Sequence, residues 1–127
     1  VGHLALRVHL PQWVRVMRDD IGQGKIVLPQ QIARNAVINI RAYLSHPMLT
    51  GLSRDQAGVP IPAWFVNDVA VTYGGERVAH FAWSSGISRD PFVGFSLIAS
   101  KEAPVVVTWT DNKGGVFTHS VEVEFAG

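Results

Sequence analysis

Apolar and polar residues alternate along much of the chain with the two-residue period of a β-strand, in which successive side chains point to opposite faces. The clearest stretch is NAVINIRAYLS, residues 35–45, where polar residues separate four apolar ones: Ile38, Ile40, Ala42 and Leu44. The same alternation in VFTHSVEVEF, residues 116–125, gives an apolar face formed by Phe117, Val121, Val123 and Phe125. Both stretches are predicted to be strands with one buried face.

Other β-rich segments are separated by short turn sequences. Gly74-Gly75 lies between two of them and predicts a tight hairpin, because glycine tolerates the positive φ angles of a type I′ turn. DNKGG, residues 111–115, predicts a second turn. The remaining predicted strands are KIVLP, VNDVAVTY, ERVAHFAW, FVGFSLIAS and VVVTWTD. About seven strands with short turns predict an all-β, immunoglobulin-like or fibronectin III-like sandwich of two sheets, whose strand order the spacing does not fix.

The first 23 residues follow a different pattern from the rest. Residues 4–10 alternate like a strand, whereas residues 13–17, after Pro11, fit a short helical turn. We therefore divide the chain into an N-terminal extension, residues 1–23, and a sandwich domain, residues 24–127. The extension has three open roles: an extra edge strand, a contact with a partner, or a disordered segment.

Composition narrows the classes of function. A chain of 127 residues fits one domain. It is 47% hydrophobic and only 17% charged, more apolar than an average domain, which points to a buried contact with a partner. A net charge of +1 does not favour a nucleic-acid or membrane-surface binder. The lack of cysteine excludes disulfides, thiolate metal sites and a cysteine nucleophile in this chain. No apolar run suits a spanning helix, and the start lacks a signal-peptide pattern, although a signal could have been removed.

The chain shows no clear catalytic or cofactor-binding motif. Its five histidines lack ligand spacing, so a copper or zinc site using His46, Met48 and His119 is only a secondary possibility. The serines of SSGIS, residues 84–88, fit a turn better than a nucleophile elbow. Six carboxylates are scattered over loops and strand ends and are expected to be solvated: Asp55, Asp68, Asp90, Asp111, Glu76 and Glu102.

One long non-periodic stretch, HPMLTGLSRDQAGVPIP, residues 46–62, is the main candidate for an interaction surface. Its prolines favour extended backbone, and Trp64 follows it closely. Trp109 lies in an alternating strand and is predicted to be core, whereas core and interface remain equally open for Trp64. The candidate partner-interface residues are His46, Met48, Arg54, Asp55 and Trp64.

Four segments in order, SHPMLTGLSRDQAGVPIP, VTYGGERV, SRDPFVGFSLIAS and VTWTDNKGG, make the chain from about Gly24 onward resemble SoxZ, the small subunit of the SoxYZ carrier in bacterial thiosulfate oxidation. The resemblance implies an immunoglobulin-like, non-catalytic subunit that pairs tightly with SoxY. In that family SoxY carries a cysteine on a flexible C-terminal Gly-Gly-Cys-Gly-Gly arm, where sulfur intermediates are held for the other Sox enzymes. A chain without cysteine fits the other half of the carrier. Residues 1–23 depart from the family pattern.

The resemblance also sets the expected partner and compartment. We expect a heterodimer with a SoxY-like subunit, indirect contact with the other Sox enzymes, no cofactor, and a periplasmic location reached together with the partner. Without the partner, an exposed apolar face would favour self-association. Two alternatives stay open: a small periplasmic metal-binding protein and a generic fibronectin-like interaction module.

Overall fold

The alternating segments form seven strands in the part of the chain that the computed structural model describes, residues 20–126. One sheet has the strand order β1-β2-β5 and the other β4-β3-β6-β7, with antiparallel neighbours throughout. This confirms the predicted all-β, two-sheet architecture. The strands are β1 (Gly24–Val27), β2 (Val37–Leu44), β3 (Val66–Tyr73), β4 (Glu76–Ala82), β5 (Phe92–Ile98), β6 (Pro104–Asp111) and β7 (Val116–Glu122).

The core lies between the two sheets and is built from every second residue of each central strand. The four apolar residues predicted to line one face of β2 are all buried. They face fully buried residues of the other sheet: Val69, Val71, Val105, Val107 and Trp109. Burial of each such valine, leucine or isoleucine side chain contributes roughly 1.5–3 kcal/mol to the free energy of folding. The predicted strand face of residues 35–45 and the core position of Trp109 are both confirmed.

Two turns have the geometry that the sequence predicts. Gly74 and Gly75 link β3 to β4 with φ angles of 61° and 84°, a combination that non-glycine residues rarely adopt. Gly114, in the turn between β6 and β7, also has a positive φ, of 83°. After that turn, Phe117, Val121 and Phe125 are half-buried and Val123 is buried, as the alternation predicts.

The described chain begins just before β1, so most of the N-terminal extension lies outside the described residues. Gly22 donates to the Ser45 carbonyl over 2.9 Å, and Ser45 donates to the Gln23 carbonyl over 2.8 Å. Nε2 of His119, on β7, donates to the Gly22 carbonyl over 2.9 Å. Residues 22 and 23 thus join the end of β2 to β7. The three roles considered for residues 1–23 stay predictions.

Candidate interface loop and its buried support

The segment between β2 and β3 is an ordered, irregular hairpin; we call residues 46–64 the interface loop. Leu49 and Trp64 exchange two backbone hydrogen bonds, of 2.6 and 2.9 Å. Further along, the amide of Ile61 donates to the Ser53 carbonyl over 2.8 Å. These bonds help a stretch with no apolar periodicity to hold one conformation, since they satisfy several of its backbone groups within the loop.

Arg54 and Asp55 shape the tip of the interface loop. Oδ1 of Asp55 accepts from the amides of Ala57 and Val59 over 2.9 and 3.0 Å. Arg54 donates from its guanidinium to the Gly58 carbonyl over 2.9 Å. Short side-chain bonds to nearby amides are the usual way in which aspartate stabilises a turn. Both residues therefore fix the loop's own shape.

His46 and Met48 are the buried residues at the start of the interface loop, with only 0% and 4% of their surface exposed. The amide of Met48 donates to Nδ1 of His46 over 3.1 Å, so the ring carries its hydrogen on Nε2. That Nε2 donates to Oδ2 of Asp111 over 3.2 Å. The sulfur of Met48 accepts from the Val66 amide over 3.3 Å. In this chain both side chains support the loop from below, and neither forms its exposed surface.

Asp111, the last residue of β6, holds the centre of this buried network. Its Oδ2 also accepts from Nε1 of Trp64 over 2.8 Å. Its Oδ1 accepts from the amides of Lys113 and Gly115 over 3.0 and 2.7 Å. Because Asp111 is only 4% exposed, the prediction that it is a solvated surface carboxylate is wrong.

These hydrogen bonds decide the charge of Asp111. Burial disfavours the charged form and by itself raises the pKa of this carboxyl group. Donors from the Trp64 indole, the Gly115 amide, the His46 ring and the Lys113 amide stabilise the anion and together outweigh burial. The pKa of Asp111 is therefore lowered from its ordinary value, and the residue is a carboxylate near neutral pH.

Asn112 and Asp90, which were not among the candidate interface residues predicted from the sequence, connect the interface loop to the rest of the sandwich by hydrogen bonds. Asn112 accepts from the Phe65 amide over 2.8 Å and donates to the Ala63 carbonyl over 3.0 Å. Oδ1 of Asp90 accepts from the His46 amide over 3.1 Å, and the Asp90 amide donates to the His46 carbonyl over 3.0 Å. The turn-forming composition of residues 111–115 indicates a structured turn, but no sequence signal connects it to a loop nearly 50 residues earlier.

Trp64, for which the sequence left core and interface equally open, is half-buried in the structure, and its interface role stays a prediction. Its indole N–H donates to Asp111. The Trp64 and His46 rings pack edge to face, with their centroids 5.2 Å apart. The Trp64 ring is half-buried, with Nζ of Lys113 4.7 Å from the centroid. The most exposed apolar side chain of the loop is Leu52, at 88%. Leu52, Val59 and Arg54, rather than His46 and Met48, form the outer surface of the loop.

The two histidines considered as metal ligands, His46 and His119, each make a hydrogen bond within the described part of the chain. His80 pairs with Asp68 on the outside of the four-stranded sheet, and His119 bonds to the Gly22 carbonyl. Within residues 20–126, no group of three or more histidine, aspartate or glutamate side chains is arranged to hold a metal ion. The same residues include no helix with the length and apolarity needed to cross a membrane.

The family model for the sulphur oxidation protein SoxZ matches residues 26–122, which include nearly all of the sandwich and the whole interface loop. The chain belongs to the SoxZ family. It is thus a Sox sulfur-oxidation subunit, as the resemblance in the sequence implies. A search of curated proteins finds no match.

Solved structures share the fold of this SoxZ-family chain at low identity. The sulfur carrier protein SoxY from Chlorobium limicola f thiosulfatophilum has a TM-score of 0.55 and 16% identity, covering 80% of this chain and 73% of that one. A superoxide reductase (neelaredoxin) from Ignicoccus hospitalis has a TM-score of 0.61 and 14% identity, covering 82% and 80%. A hypothetical protein from Pyrococcus horikoshii OT3 has a TM-score of 0.59 and 13% identity, covering 87% and 98%. These likenesses establish the fold alone.

Proposed function

We propose that this chain is the non-catalytic subunit of a SoxYZ-type sulfur carrier. It forms a heterodimer with a SoxY-like protein and helps present that protein's cysteine arm to the other Sox enzymes. The observation that carries the proposal is the match to the SoxZ family over residues 26–122. The geometry supports it: large apolar side chains stay exposed on a well-ordered sandwich, as expected of a subunit whose partner covers them.

The hydrogen bonds of His46 and Asp111 support a structural role for these two buried residues in holding the interface loop in place. Both ring nitrogens of His46 and both oxygens of Asp111 are bonded within the chain. Groups held in this way position backbone, and the loop's exposed residues remain a candidate contact surface beside the sheet faces. The proposed periplasmic location depends on export with the partner.

The proposal is tested by mixing the purified chain with a SoxY-like protein and measuring the mass of the complex by light scattering and its Kd by calorimetry. We expect a heterodimer with a submicromolar Kd. When the other Sox enzymes and an electron acceptor are added, we expect thiosulfate oxidation only if both subunits are present. A mixture in which this chain remains a monomer would overturn the proposal. Cell fractionation with and without the partner's signal sequence tests the location.

A further inference from the structure

The outer face of the β1-β2-β5 sheet, which we call the three-stranded face, is unusually apolar for a solvent-facing sheet surface. Of the eight large hydrophobic residues that are exposed among the described residues, four lie on this face, each at least 44% exposed: Val27, Val37, Phe92 and Ile98. Their strands supply only three of the seven in the sandwich. An antiparallel sheet facing water normally carries polar residues at these alternate positions.

Three of these residues, together with Tyr43, form two patches at opposite ends of the three-stranded face, and Val27 lies between the patches beside Arg41. Val37 on β2 pairs with Ile98 on β5 at one end. Tyr43 and Phe92 pair at the other end and stack with their ring centroids 5.7 Å apart. Val37 and Tyr43 are six positions apart on β2, a span of about 20 Å at the rise of an extended strand. A partner that covers both patches must span most of the sheet.

Between the patches lies a shallow hollow of about 270 Å³ beside Arg41 and Gly94. Gly94 faces Arg41 across the β2–β5 pair, and its missing side chain opens the hollow. A Cβ at Gly94 would have only the Ile40 carbonyl oxygen nearby, at 4.0 Å, so the fold itself does not require glycine there. The Arg41 side chain has no hydrogen bond or ion pair with the described part of the chain. The hollow is therefore bordered by a cation that has no ion pair with residues 20–126.

The charges of the three-stranded face indicate the kind of partner. Among the outward residues of β1, β2 and β5, only Lys25 and Arg41 are charged, and both are basic. The opposite outer face, by contrast, carries both signs, including the Asp68–His80 pair and Arg77. Two copies of this chain pairing through their three-stranded faces would bring like charges together. Charge complementarity favours a partner that places carboxylates between apolar side chains.

We propose that the three-stranded face binds the SoxY-like partner, with a partner carboxylate at Arg41 and a partner side chain in the hollow above Gly94. This inference rests on the proposed function and adds the surface and the chemistry of recognition. Two apolar patches at the ends provide burial, and the basic centre provides orientation and specificity.

The steric test fills the hollow with Gly94→Trp, and Ser120→Trp on the exposed outer side of β7 is the matched control. Calorimetry against the SoxY-like protein should show Kd raised at least about 30-fold by Gly94→Trp, because the indole occupies a central contact. Ser120→Trp should leave Kd within about twofold. Circular dichroism and thermal unfolding of each variant alone establish that both are folded.

The charge test compares Arg41→Glu with Arg77→Glu on β4. We expect Arg41→Glu to weaken binding by at least about 10-fold, mainly through faster dissociation because the pair is central, and Arg77→Glu to have little effect. Raising NaCl should weaken binding of the unchanged chain more than that of Arg41→Gln, since salt screens the charge pairing.

The outcomes separate this inference from the proposed function. If the unchanged chain does not bind the SoxY-like protein, the proposed function is overturned and this inference falls with it. If the chain binds but Gly94→Trp and Arg41→Glu bind equally well, only the surface assignment is overturned; weakening by Leu52→Asp would then assign the partner to the interface loop. If the chain alone forms a homodimer and the Gly94→Trp variant is a monomer, the three-stranded face binds a second copy of this chain instead.

Discussion

Asp111 shows how a single side chain holds together segments that are distant in sequence. Its two oxygens accept from the interface loop through His46 and Trp64, and from the β6–β7 turn through Lys113 and Gly115. Residue type alone suggests solvent exposure for an aspartate in a turn. Its burial follows from partners located 47 and 65 residues earlier, which only the folded chain brings to it.

The substitution Asp111→Asn is expected to lower the free energy of unfolding by about 2–4 kcal/mol, because the amide NH₂ must face N–H donors on one side or the other. Urea unfolding followed by tryptophan fluorescence measures the change. Asp68→Asn is the control: Asp68 pairs with His80 on the surface, and we expect less than about 1 kcal/mol. Equal losses in the two variants would contradict the central role of Asp111.

The lowered pKa of Asp111 also predicts how stability depends on pH. Since the carboxyl group has a lower pKa in the folded chain than in the unfolded one, the unfolded chain binds the proton more tightly. The contribution is fully present above the unfolded pKa, near 3.8, and is lost as pH falls through the folded pKa. Unfolding free energies measured through this acid range should fall more steeply for the unchanged chain than for Asp111→Asn. Parallel curves would contradict the prediction.

Among the structural elements, the β3–β4 hairpin and the interface loop differ in how much of them the sequence reveals. The hairpin follows from a local rule, since Gly74-Gly75 lies between two β-rich segments and adopts the positive φ angles that glycine permits. The interface loop has no periodicity, and its order comes from the Leu49–Trp64 bridge and the contacts of Asn112. A loop held by distant partners gives no comparable local signal.

Gly75 provides a direct test of the hairpin's backbone requirement. A Cβ at Gly75 meets no atom within 4 Å, so Gly75→Ala tests the φ angle of 84° without a steric clash. We expect it to lower the free energy of unfolding by about 1 kcal/mol, and Gly75→Asn by less, because asparagine tolerates this region better. Chemical denaturation measures both.

Gly86→Ala is the matched control for the hairpin test. Gly86 also has open space around its Cβ position but does not have a positive φ. Its substitution should change stability by no more than about 0.5 kcal/mol. A loss as large as that of Gly75→Ala would show that backbone strain is not the cause.

For the molecule as a whole, the core and the exposed surface have separate roles. The inward residues of the central strands are buried around Trp109, whereas the three-stranded face leaves apolar side chains exposed. A superoxide reductase and a sulfur carrier protein share this fold at identities of 16% or less, so the sandwich alone does not specify the function. What distinguishes this chain is therefore the chemistry of its surface.

Pairing with a SoxY-like partner should stabilise the whole sandwich. A partner that binds only the folded chain, present at about 100 times its Kd, adds about 2.7 kcal/mol to the free energy of unfolding. Differential scanning calorimetry should show a Tm higher by several degrees that rises further with partner concentration. Adding the same partner to the Gly94→Trp variant should give a much smaller increase. A Tm independent of partner concentration would contradict the pairing.

The strands, the buried face of β2, the core position of Trp109 and the glycine hairpin can all be predicted from sequence alone, and the motifs resemble the SoxZ family. These features depend on near neighbours in the chain, through the two-residue period of strands and the conformational freedom of glycine. The fold, and not the local pattern, placed His46 and Met48 under the exposed part of the interface loop and buried Asp111. It also placed Arg41 and Gly94 side by side. Each of these depends on contacts between residues far apart in sequence, and local pattern does not encode such contacts.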